Sequence, residues 1–192
     1  MATEVTRYRF TADAYERLAA AGILAEDDRV ELLGGEIVAM SPVGPRHAWC
    51  VTRLTGHLVG RLGDAYPVSV QSPIRLGEHD EPEPDLAVLR PETDQGRLPG
   101  AADVLLVIEV AETSRDYDRG VKLPRYAAAG IPEAWLLDLA APRLERHTEP
   151  GPEGYQQISI ARRGQALPST VAPGLTIALD AALGVRPSGR WH

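Results

Sequence analysis

Two acidic side chains and one lysine lie near apolar runs in the middle of the chain. Asp85 precedes the run LAVL, Glu109 lies within the run VLLVIEVA, and Lys122 stands at the start of a predicted helix. Two carboxylates on neighbouring strands repel each other, and each has a raised pKa unless a cation lies between them. Mg²⁺ or Mn²⁺, which prefer oxygen ligands, would suit that position. The three residues therefore indicate metal-dependent hydrolysis of a phosphodiester.

Lys122 has a defined role in such a site. It would orient or deprotonate the attacking water and neutralise the charge that builds up on the phosphate. Ala111, on the same strand face as Glu109, is small enough to leave room for an amine from the next helix. Alternatively, Lys122 pairs only with Asp118, one helical turn earlier.

Several other residues have structural explanations beside functional ones. Asp85 could be a turn or cap residue, whereas Glu109 is hard to explain without a partner, because a carboxylate in so apolar a run is costly to bury. His47, at a predicted helix start, caps, packs or approaches the site. We expect Tyr126 to pack and Asp138 to cap a turn or support the site.

The surrounding pattern predicts an α/β (α+β) fold with a mixed sheet. Predicted strands lie at residues 29–33, 36–40, 67–73 (extended to 74–76), 86–89, 104–110, 133–138, 144–148, 155–161 and 175–177. Predicted helices lie at 11–22, 47–62, 117–129 and 180–183, and Pro124 is acceptable only in a first turn or at a kink. Since no repeat or linker divides the chain, we expect one domain over residues 1–186 and a frayed tail over 187–192.

Composition restricts the class of protein. Of the 192 residues 44% are apolar and 24% are charged, which argues against disorder, and no apolar run reaches the roughly 18 residues of a membrane span. The single Cys50 cannot form an internal disulfide, and with scattered histidines it makes a poor zinc set, so we expect a cytoplasmic protein without membrane contact. The net charge of −7 counts against a basic nucleic-acid surface, although bound metal ions would supply positive charge.

Specific phrases of the chain resemble a known family. Pro84-Asp85 followed by Glu109-Val-Ala111 resembles the PD-(D/E)xK pattern of restriction-endonuclease-like nucleases. Over most of the chain, the sequence is similar to the bacterial Uma-two family of restriction-endonuclease-like proteins, through VELLGGEIVAMSP, the histidine at 47, EPDLAVL, LLVIEVAETS and DRGVKLPRYAAAGIPEAWLLD. The resemblance implies a restriction-endonuclease-like mixed central sheet flanked by helices.

The resemblance also implies site residues and partners. Ala111 stands where the pattern has its lysine, so the resemblance implies that the lysine has moved to the following helix as Lys122. It likewise implies that Glu31, on the first hairpin strand, is a further acidic group near the metal. DNA as the substrate and a homodimer are implied in the same way.

Three functions follow as hypotheses. The first is an Mg²⁺- or Mn²⁺-dependent endonuclease acting on DNA, with Asp85, Glu109, Glu31 and Lys122 as catalytic residues and the three acids as metal ligands. The second is a catalytically silent binding or scaffold protein with the nuclease fold, which the acidic net charge and Ala111 favour. The third is a metal-dependent phosphohydrolase of small nucleotides.

Overall fold

The structure, a computed structural model, describes residues 7–25 and 27–185. The predicted frayed tail at 187–192 lies outside the described residues. The strands are β1 Val30–Leu33, β2 Glu36–Ala39, β3 Val68–Val70, β4 Leu86–Leu89, β5 Val104–Ala111, β6 Glu133–Asp138, β7 Arg143–Gly151, β8 Gly154–Ala161, β9 Ala166–Pro168 and β10 Thr176–Ala178. The helices are α1 Ala12–Ala20, α2 Pro45–Leu62, α3 Arg115–Tyr117, α4 Leu123–Ala128 and α5 Leu179–Ala182.

A six-stranded mixed sheet is the centre of the fold. Its order is β3-β4-β5-β6-β7-β8, and all neighbours are antiparallel except β5 and β6, which are parallel. A parallel pair needs a crossover, and the helical segment between β5 and β6 supplies it. Two smaller antiparallel pairs, β1-β2 and β9-β10, lie outside this sheet. The predicted α+β fold with a mixed central sheet flanked by helices is confirmed.

Each face of the sheet carries its own apolar cluster. On one face, the predicted stripe of α2 is buried against the strands at Val51, Leu54, Leu58 and Leu62. On the other face, α4 packs through Leu123 and Tyr126. Alternation along β5 sends Ile108 and Val110 to the first face and Val107 and Ala111 to the second. Glu109 therefore shares the α4 face, as the sequence predicts.

The crossover between β5 and β6 is more complex than predicted. A π-helical turn, Asp118–Lys122, lies between α3 and α4, and the backbone N–H of Leu123 donates to the carbonyl of Asp118. Lys122 ends this wide turn and is the N-cap of α4, as its expected place at a helix start implies, and it lies within a longer helical segment. The wide turn directly precedes Pro124, which has no N–H to donate and clashes with the carbonyl four residues earlier in a regular helix.

The first hairpin is confirmed, and one predicted strand extension is wrong. Gly34 and Gly35 form the turn between β1 and β2 with φ angles of 60° and 78°, which favour glycine. Residues 74–76 do not extend β3, because Ile74 turns into the apolar cluster and is fully buried, and Arg75 makes only an isolated bridge to Gly100. Within residues 7–25 and 27–185, no helix has the length and apolar content needed to cross a membrane.

Candidate functional site

A cleft of about 440 Å³ opens beside the adjoining ends of β4 and β5 and the start of α2. Six carboxylates line it, from Glu31, Glu83, Asp85, Glu109, Glu112 and Asp118. The cationic side chains along the same wall are Arg29 and Lys122, together with His47. The structure thus brings the four predicted site residues, Asp85, Glu109, Lys122 and Glu31, to one cleft. The excess of carboxylates favours a cationic ligand there.

Lys122 lies between two glutamates at the base of the cleft. Its Nζ is 2.9 Å from Oε1 of Glu109 and 3.2 Å from Oε2 of Glu31, and it donates to the carbonyl oxygen of Glu83 at 3.0 Å. The crossover segment covers the sheet face to which Glu109 points, and this arrangement brings the lysine to the strand. The alternative pairing with Asp118 is not formed, since Asp118 accepts a hydrogen bond from Ser114 instead.

The charge state of Lys122 follows from its surroundings. Its side chain is 4% exposed, and burial alone would lower the pKa. The charges of Glu109 and Glu31 outweigh burial and raise the pKa of Lys122 above its ordinary value. The amine therefore stays protonated at neutral pH, which agrees with a role in orienting groups and balancing charge rather than in deprotonating water.

Glu109 has the most perturbed carboxyl group of the cleft. Burial raises the pKa of Glu109, although the charge of Lys122 and a hydrogen bond from Tyr126 act in the opposite direction. The hydroxyl of Tyr126 donates to Oε1 of Glu109 at 2.6 Å. Burial and the Glu109 charge raise the pKa of Tyr126, so that its hydroxyl keeps the proton it donates. Tyr126 thus packs, as expected, and also supports Glu109.

Asp85 is held by the neighbouring strand and by α2. Its Oδ2 accepts hydrogen bonds from Nε2 of His47 at 3.0 Å and from the backbone N–H of Val110 at 2.8 Å. The hydrogen bond to Asp85 raises the pKa of His47. Within the described part of the chain, Oδ1 of Asp85 accepts a single long hydrogen bond, from Nε2 of Gln71 at 3.4 Å. Asp85 is therefore fixed in orientation, and one of its oxygens still faces few competing donors.

The chemistry of these donors fits a divalent cation, but the geometry is not that of a preformed cage. Asp85, Glu109 and Glu31 offer only oxygen ligands, which Mg²⁺ and Mn²⁺ prefer. Among residues 7–25 and 27–185, however, no three His, Cys, Asp or Glu side chains are grouped as a metal site. Lys122 lies between Glu31 and Glu109, and His47 contacts one oxygen of Asp85.

Sequence reasoning missed several partners of the site. The carbonyl of Glu83 is a backbone contact, for which the side-chain pattern carries no signal. Tyr126 was expected only to pack, and its hydrogen bond to Glu109 was missed, although its position four residues after Lys122 on one helical face indicated that it lies near the site. Tyr117 also lines the cleft, and its buried hydroxyl has no partner among the described residues.

Two residues outside the cleft have structural contacts. His57 binds the carbonyl of Thr176 at 2.7 Å. Asp138 accepts from the backbone N–H of Ala141 at 2.9 Å, the cap that was one of its two expected roles.

Comparisons with known proteins show the family and the fold of the chain. A family model, Uma2, described as "Putative restriction endonuclease", matches residues 12–181. Among solved structures, the chain is similar to a protein from Anabaena variabilis described as "a putative nuclease belonging to DUF820". The TM-score is 0.72 at 12% sequence identity, and the alignment covers 92% of this chain and 98% of that one. At this identity the likeness establishes the fold alone. No curated protein gives a significant match.

Proposed function

Because the chain belongs to the Uma2 family, described as "Putative restriction endonuclease", we propose that it hydrolyses phosphodiester bonds in DNA with a divalent cation. The observation that carries this proposal is the ammonium of Lys122 between Glu109 and Glu31, in a cleft that Asp85 also lines. Asp85 and Glu109 would hold Mg²⁺ or Mn²⁺, and Glu31 would be the third ligand. When bound, the cation would activate water and polarise the phosphoryl oxygen.

The side chains of this chain have separate tasks in the proposed reaction. Lys122 keeps its proton, holds the carboxylates of Glu109 and Glu31 close to each other and balances negative charge near the phosphate. His47 and the N–H of Val110 fix the orientation of Asp85. In the overall step, a water oxygen forms a bond to phosphorus, the P–O bond to the leaving oxygen breaks, and the water proton is released to solvent or to that oxygen.

The test is cleavage of supercoiled plasmid and of a labelled duplex by the purified chain, with Mg²⁺ or Mn²⁺ and with a chelator. We expect cutting that needs the cation and that falls by about 10²-fold or more in Asp85→Asn and Glu109→Gln, since each variant loses a charged ligand. Glu133→Gln is the matched control, because Glu133 is also buried on a sheet strand but binds Trp135 and Thr170 away from the cleft. Cutting that survives in both cleft variants contradicts the proposal.

One observation favours a second candidate, a phosphohydrolase of small nucleotides. A cleft of about 440 Å³ has the size of a small-molecule site, and its acidic wall offers little to an extended polyanion. Turnover of nucleotides and of oligonucleotides by the same preparation separates the two candidates. Faster turnover of nucleotides, again abolished by Glu109→Gln, would favour the phosphohydrolase.

A further inference from the structure

The N–H donors of Lys122 are not available to a substrate. An ammonium group has three N–H donors. Three oxygens, from Glu31, Glu109 and Glu83, lie within 3.2 Å of its nitrogen, which accounts for all three donors. A phosphate that bound to Lys122 would have to displace a buried carboxylate or carbonyl, and that exchange costs free energy.

Arg29 is the cleft cation with free donors. Its Nη1 donates to the carbonyl of Ser41 at 3.3 Å, and no described carboxylate lies within ion-pair distance of its guanidinium. A guanidinium has five N–H donors in a planar fork that matches two phosphate oxygens. Resting on the proposed function, we propose that Arg29 binds the phosphate of the phosphodiester substrate in this cleft.

The position of Arg29 suits this task. Arg29 lines the same cleft as His47 and Glu83. The hydrogen bond to Asp85 raises the pKa of His47 and burial raises the pKa of Glu83, and the charge of Arg29 opposes both rises. The N-terminal end of the 18-residue helix α2 lines the same cleft through Gly44, and its partial positive charge adds to that of Arg29. Phosphate oxygens would thus meet the donors of Arg29 in the cleft that the proposed metal ligands also line.

The test is binding of a fluorescein-labelled DNA duplex with hydrolysis-resistant phosphorothioate linkages, measured by anisotropy with Mg²⁺ over a range of salt. We expect Arg29→Met to weaken binding about tenfold or more and to reduce the slope of log affinity against log salt by about one. Arg29→Lys should restore the slope but only part of the affinity, because an ammonium cannot form the fork. Thermal unfolding of each variant should match the parent protein.

The control is Arg90→Met, because Arg90 also donates to one backbone carbonyl, that of Ala102, but lies outside the cleft. Inorganic phosphate, followed by ³¹P line broadening, is the second probe. Equal binding and equal salt slopes for Arg29→Met and the parent overturn the inference, as does a parent protein that binds neither probe. Dependence on Arg29 for inorganic phosphate alone also overturns it. If duplex binding depends on Arg29 but unmodified DNA is never cut, the inference holds and the proposed function fails.

Discussion

At the scale of single residues, one ammonium group, that of Lys122, compensates the charges of two buried glutamates. Glu109 and Glu31 are each only 4% exposed and share Lys122 between them. Removing one partner from such a group leaves uncompensated charge in the interior. We expect Lys122→Met to lower the free energy of unfolding by about 3–5 kcal/mol, measured by urea denaturation at pH 7.

A double-mutant cycle makes this expectation specific. Glu109→Gln removes one of the two charges that Lys122→Met leaves unpaired, so the double variant should be more stable than the sum of the single effects implies. The coupling reflects direct contact between the two side chains, which are 2.9 Å apart. Additive single effects would show that the two groups do not share a buried ion pair.

The sequence alone allowed the cleft residues to be predicted, but not their contacts. Asp85, Glu109 and Lys122 stand out because charges rarely occur beside such apolar runs. One partner of Lys122, the carbonyl of Glu83, depends on how a loop places it, and no side-chain pattern encodes that. Whether the four predicted residues act in catalysis stays a prediction.

At the scale of elements, Glu145 ties β7 to the crossover segment. It pairs with Arg119, with Arg143 at 2.9 Å and with His147 at 3.1 Å. Burial opposes ionisation, but the hydrogen bond from His147 and the arginine charges outweigh it and lower the pKa of Glu145. A lowered pKa means that this carboxylate stabilises the fold above its unfolded-state pKa and that the contribution is lost as pH falls through the folded-state value.

We therefore expect Glu145→Gln to destabilise the protein by about 1–3 kcal/mol at pH 7, since it loses hydrogen bonds from charged donors. The difference in Tm from the parent should shrink below about pH 4.5, where the unfolded carboxyl is protonated. Calorimetry between pH 3 and 8 measures it. Glu153→Gln changes the same charge at an exposed turn and should give little difference at any pH. A gap in Tm that stays constant down to pH 3 contradicts the prediction.

The hairpin that carries Glu31 depends on its second glycine. Gly35 has a φ angle of 78°, and a Cβ there would lie 2.6 Å from the Cβ of Arg9. Gly22 has a φ angle of 68°, but a Cβ there meets nothing within 4 Å. We expect Gly22→Ala to cost about 1–2 kcal/mol from backbone strain alone and Gly35→Ala to cost clearly more, as measured by thermal unfolding. Equal losses of Tm in Gly35→Ala and Gly22→Ala would mean that the close approach to Arg9 adds nothing to the loss of stability.

Most elements were predictable because their apolar periodicity is strong. The α2 stripe, the β1-β2 turn and β5 are where the pattern places them. The π-helical turn was not predictable, because Pro124 indicated only that a regular helix would be interrupted. The error at residues 74–76 has a similar cause, since an apolar-polar alternation of three residues is compatible with a loop that buries one side chain.

At the scale of the whole molecule, an acidic chain should respond to divalent cations in a specific way. A ligand that binds only the folded state adds about 2.7 kcal/mol of stability at one hundred times its Kd, and about 2–4 °C of Tm accompanies each kcal/mol at this size. We expect Mg²⁺ to raise the Tm of the parent protein and of Glu133→Gln by about 5–10 °C at such concentrations. The rise should vanish in Asp85→Asn and Glu109→Gln.

The same measurement bears on the silent-scaffold alternative. A folded protein that has lost its metal site gains little Tm from Mg²⁺ and cuts no DNA. A parent Tm that is insensitive to both Mg²⁺ and Mn²⁺ would therefore favour the scaffold. The net charge of −7 does not decide between the two, because carboxylates concentrated in a cleft serve a metal site as well as a silent one.

The wide turn at Asp118–Lys122 also sets limits on insertions and deletions in this region. Its hydrogen bond joins residues five apart, one more than in an ordinary α-helical turn. Inserting a single residue there would rotate one half of the segment against the other by about 100°, because a regular helix advances by that angle per residue. Lys122 would then lose its alignment with Ser114 and Arg119 upstream. Length changes should be tolerated at the exposed β7-β8 turn, but not within these five positions.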